Sequence, residues 1–581
     1  MQGSPADGGQ TGVKAKYQIG VARSGWSAAA RRNEKEPFHW VQSALGHQAI
    51  FEQGANATPE NHLRLALDQR EFFISAELVL GRDHAVPDAE SFVEEASRHG
   101  NGIKIISITD LPGGNPALPP ESFAPFIVDR GLTPLAHLSG KDGNRAFLEG
   151  RLHALARLGV ESILALTGDA QKDGFLGRPK PVYDFDSALL LGLISAASAG
   201  IEYRLGSRTI RSTPFAFLAG AVVNPYKTCE PDQMMQFYKL RLKLAAGARF
   251  FITQLGFNLR KLYELKQYLA REGLDDVPVV ANVYLPTATI ARMMKDGEVA
   301  GCVIPDALIE RLEKEKKPER LERAALMVAA AKDLGFAGAH IGGFRLSHAD
   351  TVAIRDRALE IGSEWRRRVE HLIFDYPGEF HLFPAGTDGL SNPSGGYRTS
   401  VSPQLTWLQH LTMDGHEHLV ARDSAGARFL SARLGIPADA ADNDSWRRGF
   451  WYWLLGAATL YRKATLGCMG CGDCVQDHLS YAGCTMHRCY KGLRNGPCGG
   501  SRVDGSCEAR PDLPCVWAKV YLSTLAARED PEKFAHVWIP PRDWRLDQTN
   551  ALANRLAGVD NYPRRQKLQN QSHKEPQDRK E

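Results

Sequence analysis

The sequence predicts a (βα)8 barrel, an α/β fold, followed by a small cysteine-rich metal-binding α domain. Three observations carry this reading. Between about residues 70 and 365, short apolar and partly β-branched runs alternate with amphipathic stretches, the signature of repeated strand-helix units. Eight such runs occur, the number that closes a barrel. Eight of the ten cysteines then fall between Cys468 and Cys515, a density that means bound metal or disulfides.

In chain order, residues 1–35 are rich in Gly, Ser, Ala, Lys and Arg and are expected to form a disordered tail, because they offer little apolar surface to bury. Residues 36–69 follow as an N-terminal extension. The eight runs are Phe72–Leu78, Ile103–Thr109, Thr133–Leu138, Ser162–Leu166, Phe215–Val223, Arg249–Leu255, Val277–Leu285 and Gly338–Gly342. Helical patterns such as Asn144–Leu158, Asp186–Ala199 and Leu259–Glu272 stand between them. Runs this short also occur as buried helix segments, so an open doubly wound sheet is the structural alternative. No G-x-G-x-x-G fingerprint follows an early run, which counts against that alternative. Residues 366–440, with the Gly/Pro/Ser-rich stretch Pro384–Tyr397, read as a connector. Residues 441–545 form the cysteine-rich domain and 546–581 a polar tail.

The most apolar run, Phe450–Tyr461, is flanked by Arg447, Arg448, Arg462 and Lys463 and falls well short of the roughly 20 residues of a membrane helix. It reads as a docking helix. No membrane span and no signal peptide are expected, which points to the cytoplasm, where thiols stay reduced and free to bind metal. A net charge of +4 from 71 basic and 67 acidic residues gives no steering field, and no basic stripe interleaved with aromatics suggests nucleic acid.

Active sites of such barrels form at the C-terminal ends of the strands. The residues closing the runs there are Glu77, Thr109 with Asp110, His137, Gly168 with Asp169, and Thr253 with Gln254. An isolated Glu or Asp at such a place more often caps a helix, and an isolated His more often satisfies a carbonyl. Together, an acid on strand one, another on strand four and an amide on strand six would surround a polar heterocycle from three sides.

The segments Phe73-Ile74-Ser75-Ala76-Glu77, His137-Leu138, Gly159 to Asp169 and Ala246 to Gln254, in their order and spacing, resemble methylenetetrahydrofolate reductase over about residues 70–365. The resemblance implies a flavin-binding barrel that reduces 5,10-methylenetetrahydrofolate to 5-methyltetrahydrofolate. It implies FAD, with FMN as the alternative, and NADH, NADPH or ferredoxin as electron donor. Glu77 matches the family's general acid, Asp169 the carboxylate near flavin and pterin, and Gln254 the amide on the pterin edge. Thr109, His137, Gly168, Asp186 and Lys243 match flavin-contacting positions, and Arg345 is placed to hold the folate tail. Two departures stand out: Thr167 where many relatives have Arg, and Leu78-Val79-Leu80 after Glu77 where relatives have aromatic residues and prolines. The resemblance leaves monomer and homo-oligomer, and reduction and methyl-group oxidation, open.

In the second domain, Cys468-x-x-Cys471-x-x-Cys474 favours metal over disulfides, because this spacing turns thiolates toward one centre and strains a bond between neighbours. Gly467 to Trp517 resembles the cysteine-rich C-terminal domain found beside or fused to some bacterial methylenetetrahydrofolate reductases, including the small subunit of acetogen enzymes, where the related chain binds iron–sulfur clusters. Cys468, Cys471, Cys474, Cys484, Cys489, Cys498, Cys507 and Cys515 suffice for two [4Fe-4S] clusters. Structural zinc is the alternative, with His478 or His487 able to replace a thiolate. A scaffold that lost its chemistry, or a methyltransferase component using a thiolate zinc, are the competing functions.

Overall fold

The computed structural model describes residues 60–560 apart from 99, 101, 344, 396–400, 402–406, 408–423, 437–444, 480 and 482. The two tails, most of the extension and much of the connector expected from sequence lie outside the described residues.

Eight parallel strands close a barrel: β1 (Phe73–Leu78), β2 (Ile105–Ile108), β3 (Thr133–Ser139), β4 (Ser162–Leu166), β7 (Leu218–Val223), β8 (Phe250–Thr253), β9 (Val279–Leu285) and β10 (Gly338–Gly343). Each coincides with one apolar run of the sequence. β1 pairs with β10 through Phe73 and Gly338 and with β2 through Glu77 and Ser107, so the sheet closes on itself. The three helices expected from periodicity also form. Asn144, Asp186 and Asn258 start them by accepting bonds from the first free backbone amides, which would otherwise stay unpaired.

The hairpin β5 (Glu202–Leu205) and β6 (Arg208–Arg211) was not expected. Its residues are almost all exposed, so no apolar alternation marks it, and Gly206 at φ +62° makes the turn.

Strand alternation sorts the lumen into layers. An inner cluster of Phe73, Ile105, Leu135, Leu164, Leu218, Phe250 and Val280 forms an apolar floor, plugged from below by Leu63 of the helix His62–Gln69. Phe250 reaches across because Gly220 has no side chain: a Cβ there would lie 2.2 Å from its ring. Two residues further along the same strands come Ser75, Ser107, His137 and Asn282, joined at that level by His340 of β10, and nearer the mouth Glu77, Thr109, Gln254 and Tyr284. The lumen thus changes from apolar to polar toward the C-terminal ends.

The first part of the expected connector is a strap on the barrel. Leu372, Leu382, Phe383 and Leu390 join the main core, and Glu264 accepts bonds from the amides of Leu382 and Phe383 at 2.7 and 3.2 Å. Residues 546–560, expected as the start of a polar tail, instead carry the helix Ala551–Leu556. Leu552 and Ala553 pack on Leu434 and Leu455, and Asn554 donates to the Gly472 carbonyl at 2.9 Å, contacts a local composition count does not show. Phe450–Leu466 is helical, and its Phe450, Trp453, Leu460 and Tyr461 side chains are exposed. Among the described residues no helix is long and apolar enough to cross a membrane.

Candidate active site at the barrel mouth

Glu77 is the centre of the polar layer. Its Oε2 lies 3.5 Å from His340 Nε2, and the other ring nitrogen of His340 is 2.9 Å from Ser75 Oγ. His137, bonded to Ser107 at 2.7 Å, completes a group in which the ligand atoms of Glu77, His137 and His340 lie within 4.8 Å of one another. Burial pushes the Glu77 carboxyl up, but its bond to His340 and the charges of His340 and His137 prevail and hold it below the ordinary carboxylate value. Burial drives His137 down to about 4, so this imidazole is neutral at pH 7. Tyr284 stands next to Glu77: a Cβ on Gly342 would touch both, at 3.3 and 3.4 Å. Asn282 Oδ1 is buried without a hydrogen-bond partner.

Asp169 sits at a second corner, on the turn after β4. Its Oδ2 accepts the Gly113 amide at 3.0 Å, and Tyr183 Oη donates to its backbone carbonyl at 2.6 Å. Gly168 has to be glycine, since φ is +86° and a Cβ would lie 2.1 Å from Ser139 Oγ. Burial, then the charge of Glu508, raise the Asp169 carboxyl, against Lys491, the Gly113 amide and Lys141. At a third corner Gln254 donates to the Ala300 carbonyl at 3.2 Å, and a Cβ on Gly301 would lie 3.4 Å from its amide nitrogen. Thr109 is tied to the Leu78 carbonyl at 3.4 Å, and Asp110 forms a buried ion pair with Arg151 at 2.9 Å. A cavity of about 330 Å³ lined by His62, Phe72, Ile103, Lys104 and Lys332 lies at the opposite end of the barrel, away from these groups.

Residues 62–341 match the family model of methylenetetrahydrofolate reductase, and residues 453–545 match a second model, methylene-tetrahydrofolate reductase C terminal. The barrel is a methylenetetrahydrofolate reductase-family domain. Among solved structures it is similar to an uncharacterized protein from Clostridium thermocellum that binds two copies of 5-methyl-5,6,7,8-tetrahydrofolic acid, at 14% identity over 52% of this chain and 98% of that one, with a TM-score of 0.38. It is also similar to a 2,3-dimethylmalate lyase of the PEP mutase/isocitrate lyase superfamily (15% identity, 51% of this chain, 83% of that one, TM-score 0.29) and to an oxaloacetate acetylhydrolase (14%, 54%, 88% and 0.30). No curated protein matches the chain.

The C-terminal domain lies over the mouth of this reductase-family barrel. Asn224, after β7, donates to the Gly301 and Gly499 carbonyls at 2.9 and 3.2 Å, and Lys227 to the Ser501 carbonyl at 2.8 Å. Lys491 reaches from the domain to the Gly168 carbonyl at 2.7 Å. Two expected flavin contacts take part in this junction. Asp186 caps its helix, accepts the Asn495 amide at 3.1 Å and pairs with Lys239 at 3.6 Å. Lys243 donates to the Val222 carbonyl at 2.6 Å, and burial drives it down to about 7. Arg345 is exposed in a turn at φ +54°.

The cysteines divide into two sets whose charges act on one another. Cys484 is coupled to Cys468 and Cys471, whereas Cys489 is coupled to Cys507 and Cys498, and Cys515 to Cys498. Cys474 belongs with the first set by its place in the triplet. Backbone amides point at the sulfurs: Gly470 at Cys468, Gln476 at Cys474 and Gly500 at Cys498, at 3.4, 3.5 and 3.3 Å. Burial pushes the Cys498 thiol up to about 12, against the Lys491 ammonium beside it. Among the described residues no three of these sulfurs lie mutually within 4.8 Å. Tetrahedral zinc requires about 3.8 Å, from Zn–S bonds of about 2.3 Å.

The sequence missed Ser75, Ser107, Asn282, Tyr284 and His340. Ser75, Ser107, Asn282 and Tyr284 each lie an even number of residues after a floor residue of the same strand, so strict alternation along the runs identifies them, whereas the run carrying His340 has no such residue.

Proposed function

We propose that this chain reduces 5,10-methylenetetrahydrofolate to 5-methyltetrahydrofolate with a bound flavin, FAD or FMN, and that its C-terminal domain carries iron–sulfur clusters. The observation carrying the reading is the convergence of Glu77, Asp169 and Gln254 on the C-terminal mouth of a barrel of this family. The polar layer fits the edge of a fused heterocycle: two carboxylates, the Gln254 amide, the Tyr284 phenol and the unpartnered Asn282 Oδ1. Thr109, His137 and Gly168 are at hand to hold a flavin, which when bound supplies the hydride.

Glu77 delivers a proton to the ring nitrogen that leaves, opening the imidazolidine ring to a 5-iminium cation whose methylene carbon accepts the hydride. Because Glu77 is held below the ordinary carboxylate value in the empty site, it has to take up a proton from solvent as the folate binds, with His340 Nε2 at 3.5 Å to orient it. Asp169 places negative charge beside the iminium, preorganised electrostatics of the kind that accelerates charge-forming steps. Gln254 fixes the pterin edge. In the C-terminal domain, the division of the cysteines into two sets of four and the backbone amides aimed at Cys468, Cys474 and Cys498 support two four-thiolate clusters, Cys468, Cys471, Cys474 and Cys484 in one and Cys489, Cys498, Cys507 and Cys515 in the other. Such clusters would pass electrons from ferredoxin, with NADH or NADPH as the other donors to test.

The test is flavin, iron, sulfide and zinc analysis of anaerobically purified protein, followed by separate measurement of flavin reduction and of its reoxidation by methylenetetrahydrofolate. Bound flavin reoxidised by the folate supports the reading. A colourless protein containing zinc alone refutes it and favours a thiolate-zinc methyltransferase component.

A further inference from the structure

The C-terminal domain does more than roof the barrel: it places a buried charge pair against the turn that carries Asp169. Lys491 Nζ donates to the carbonyl of Gly168, the residue immediately before Asp169, at 2.7 Å. The same ammonium pairs with Glu508, and the two side chains are only 4% and 8% exposed. Glu508 is wedged in place, since a Cβ on Gly500 would lie 2.4 Å from its carboxyl carbon. Tyr183, whose ring lies 5.4 Å from Lys491 Nζ, bonds the Asp169 carbonyl, so the turn is gripped on both sides of the Asp169 Cα.

We propose that Lys491 and Glu508 are positioning residues for Asp169: Lys491 fixes the turn and its charge favours the Asp169 carboxylate, while Glu508 holds the ammonium in place and offsets part of its charge. The geometry requires both. Lys491 alone would set an uncompensated cation beside the carboxylate meant to stabilise a cation. Glu508 alone would set a second carboxylate there, and two carboxylates sharing a buried site do not both stay ionised. The active site is then complete only when the cysteine domain is docked. This inference rests on the role of Asp169 given above.

The other groups facing Asp169 and the pair are Lys141, which is paired with Asp142, the Gly113 amide, the Tyr183 phenol, the Cys302 thiol and the Cys498 thiol, which donates to Glu508 at 3.5 Å. None of these residues is replaced in the variants chosen, and Glu508→Gln keeps an oxygen that can accept from Cys498. The experiment uses the full chain and compares wild type, Lys491→Met and the near-isosteric Glu508→Gln. The folate half-reaction is measured against pH, and hydrogen exchange is measured at the amides of Gly113 and Lys172, which bond to Asp169 Oδ2 and the Gly114 carbonyl at 3.0 Å each.

Lys491→Met leaves Glu508 facing Asp169, so the acid limb of the rate moves up by about one pH unit. Glu508→Gln leaves the cation, so the limb moves down by a similar amount. The amides of Gly113 and Lys172 exchange at least about tenfold faster in Lys491→Met, an opening cost near 1.4 kcal/mol. A role confined to packing lowers stability in both variants without moving the limb in opposite directions. Limbs that stay in place, or move the same way, in a wild type that turns over methylenetetrahydrofolate overturn the pairing while leaving the proposed reaction standing. A wild type without folate turnover overturns the proposed reaction instead, and the exchange rates then decide the clamp: unchanged protection in Lys491→Met refutes it.

Discussion

Replacing Asp186 by Ala should destabilise the protein by about 4 kcal/mol, and the structure says where that energy resides. One carboxylate oxygen caps the helix Ser187–Ala199 by accepting the amides of Ala188 and Leu189 at 3.0 Å each. Loss of such a cap costs about 1 kcal/mol. The other oxygen accepts the Asn495 amide and faces Lys239 at 3.6 Å, with both side chains of the ion pair nearly inaccessible, at 1% and 3%. Stranding one member of a buried pair costs about 3–5 kcal/mol. The stranded amide adds to this, while the bond from Lys239 to the Gly496 carbonyl at 3.3 Å remains and moderates the loss, which leaves the total near 4 kcal/mol. The assay is urea unfolding followed by circular dichroism and tryptophan fluorescence, run as a double-mutant cycle with Lys239→Met. Because Lys239→Met removes the charge that Asp186→Ala strands, the double variant should be at least about 2 kcal/mol more stable than the sum of the singles. A single-variant loss below about 1 kcal/mol, or strict additivity, would show that Asp186 does not cement the barrel to the cysteine domain.

The remaining predictions concern chemistry. Asp169→Asn should retain bound flavin and slow the folate half-reaction at least about tenfold, since removing a charge aimed at a developing cation costs a few kcal/mol; full activity in stopped-flow reoxidation would remove Asp169 from the mechanism. Glu77→Gln should leave flavin reduction by its donor intact and stall reoxidation by folate for want of a proton, whereas equal loss in both halves would make Glu77 structural. His137, held at about 4 when folded against about 6.5 unfolded, favours the folded state fully above pH 6.5. That contribution is lost as pH falls toward 4, a change of up to about 3.4 kcal/mol, so His137→Gln should flatten the pH dependence of unfolding in this window, and an unaltered slope would contradict the assignment. Cys471→Ser should lower iron and acid-labile sulfide together and bleach absorbance near about 400 nm while zinc content and barrel flavin stay unchanged; a loss of zinc instead would reassign the site.

The eight strands were legible because a parallel strand buried on both faces is mostly apolar, and each such run ends where its residues meet the polar mouth. Glu77, Asp169 and Gln254 were legible for the same reason, as polar residues closing apolar runs, and the resemblance of their segments to a family supplied their roles. The cysteine triplet was legible from spacing alone. Three things depended on the tertiary structure. The exposed hairpin Glu202–Arg211 carries no burial signal, because neither face meets the core. His340 meets Glu77 across 263 residues of chain, a distance only barrel closure removes. Asp186, matched in sequence to a flavin-contacting position, becomes a buried anchor, and Lys491, which no sequence pattern marked, is proposed as a support of the active site, only because the second domain docks on the barrel mouth, and long-range docking of that kind leaves no periodic trace in either segment.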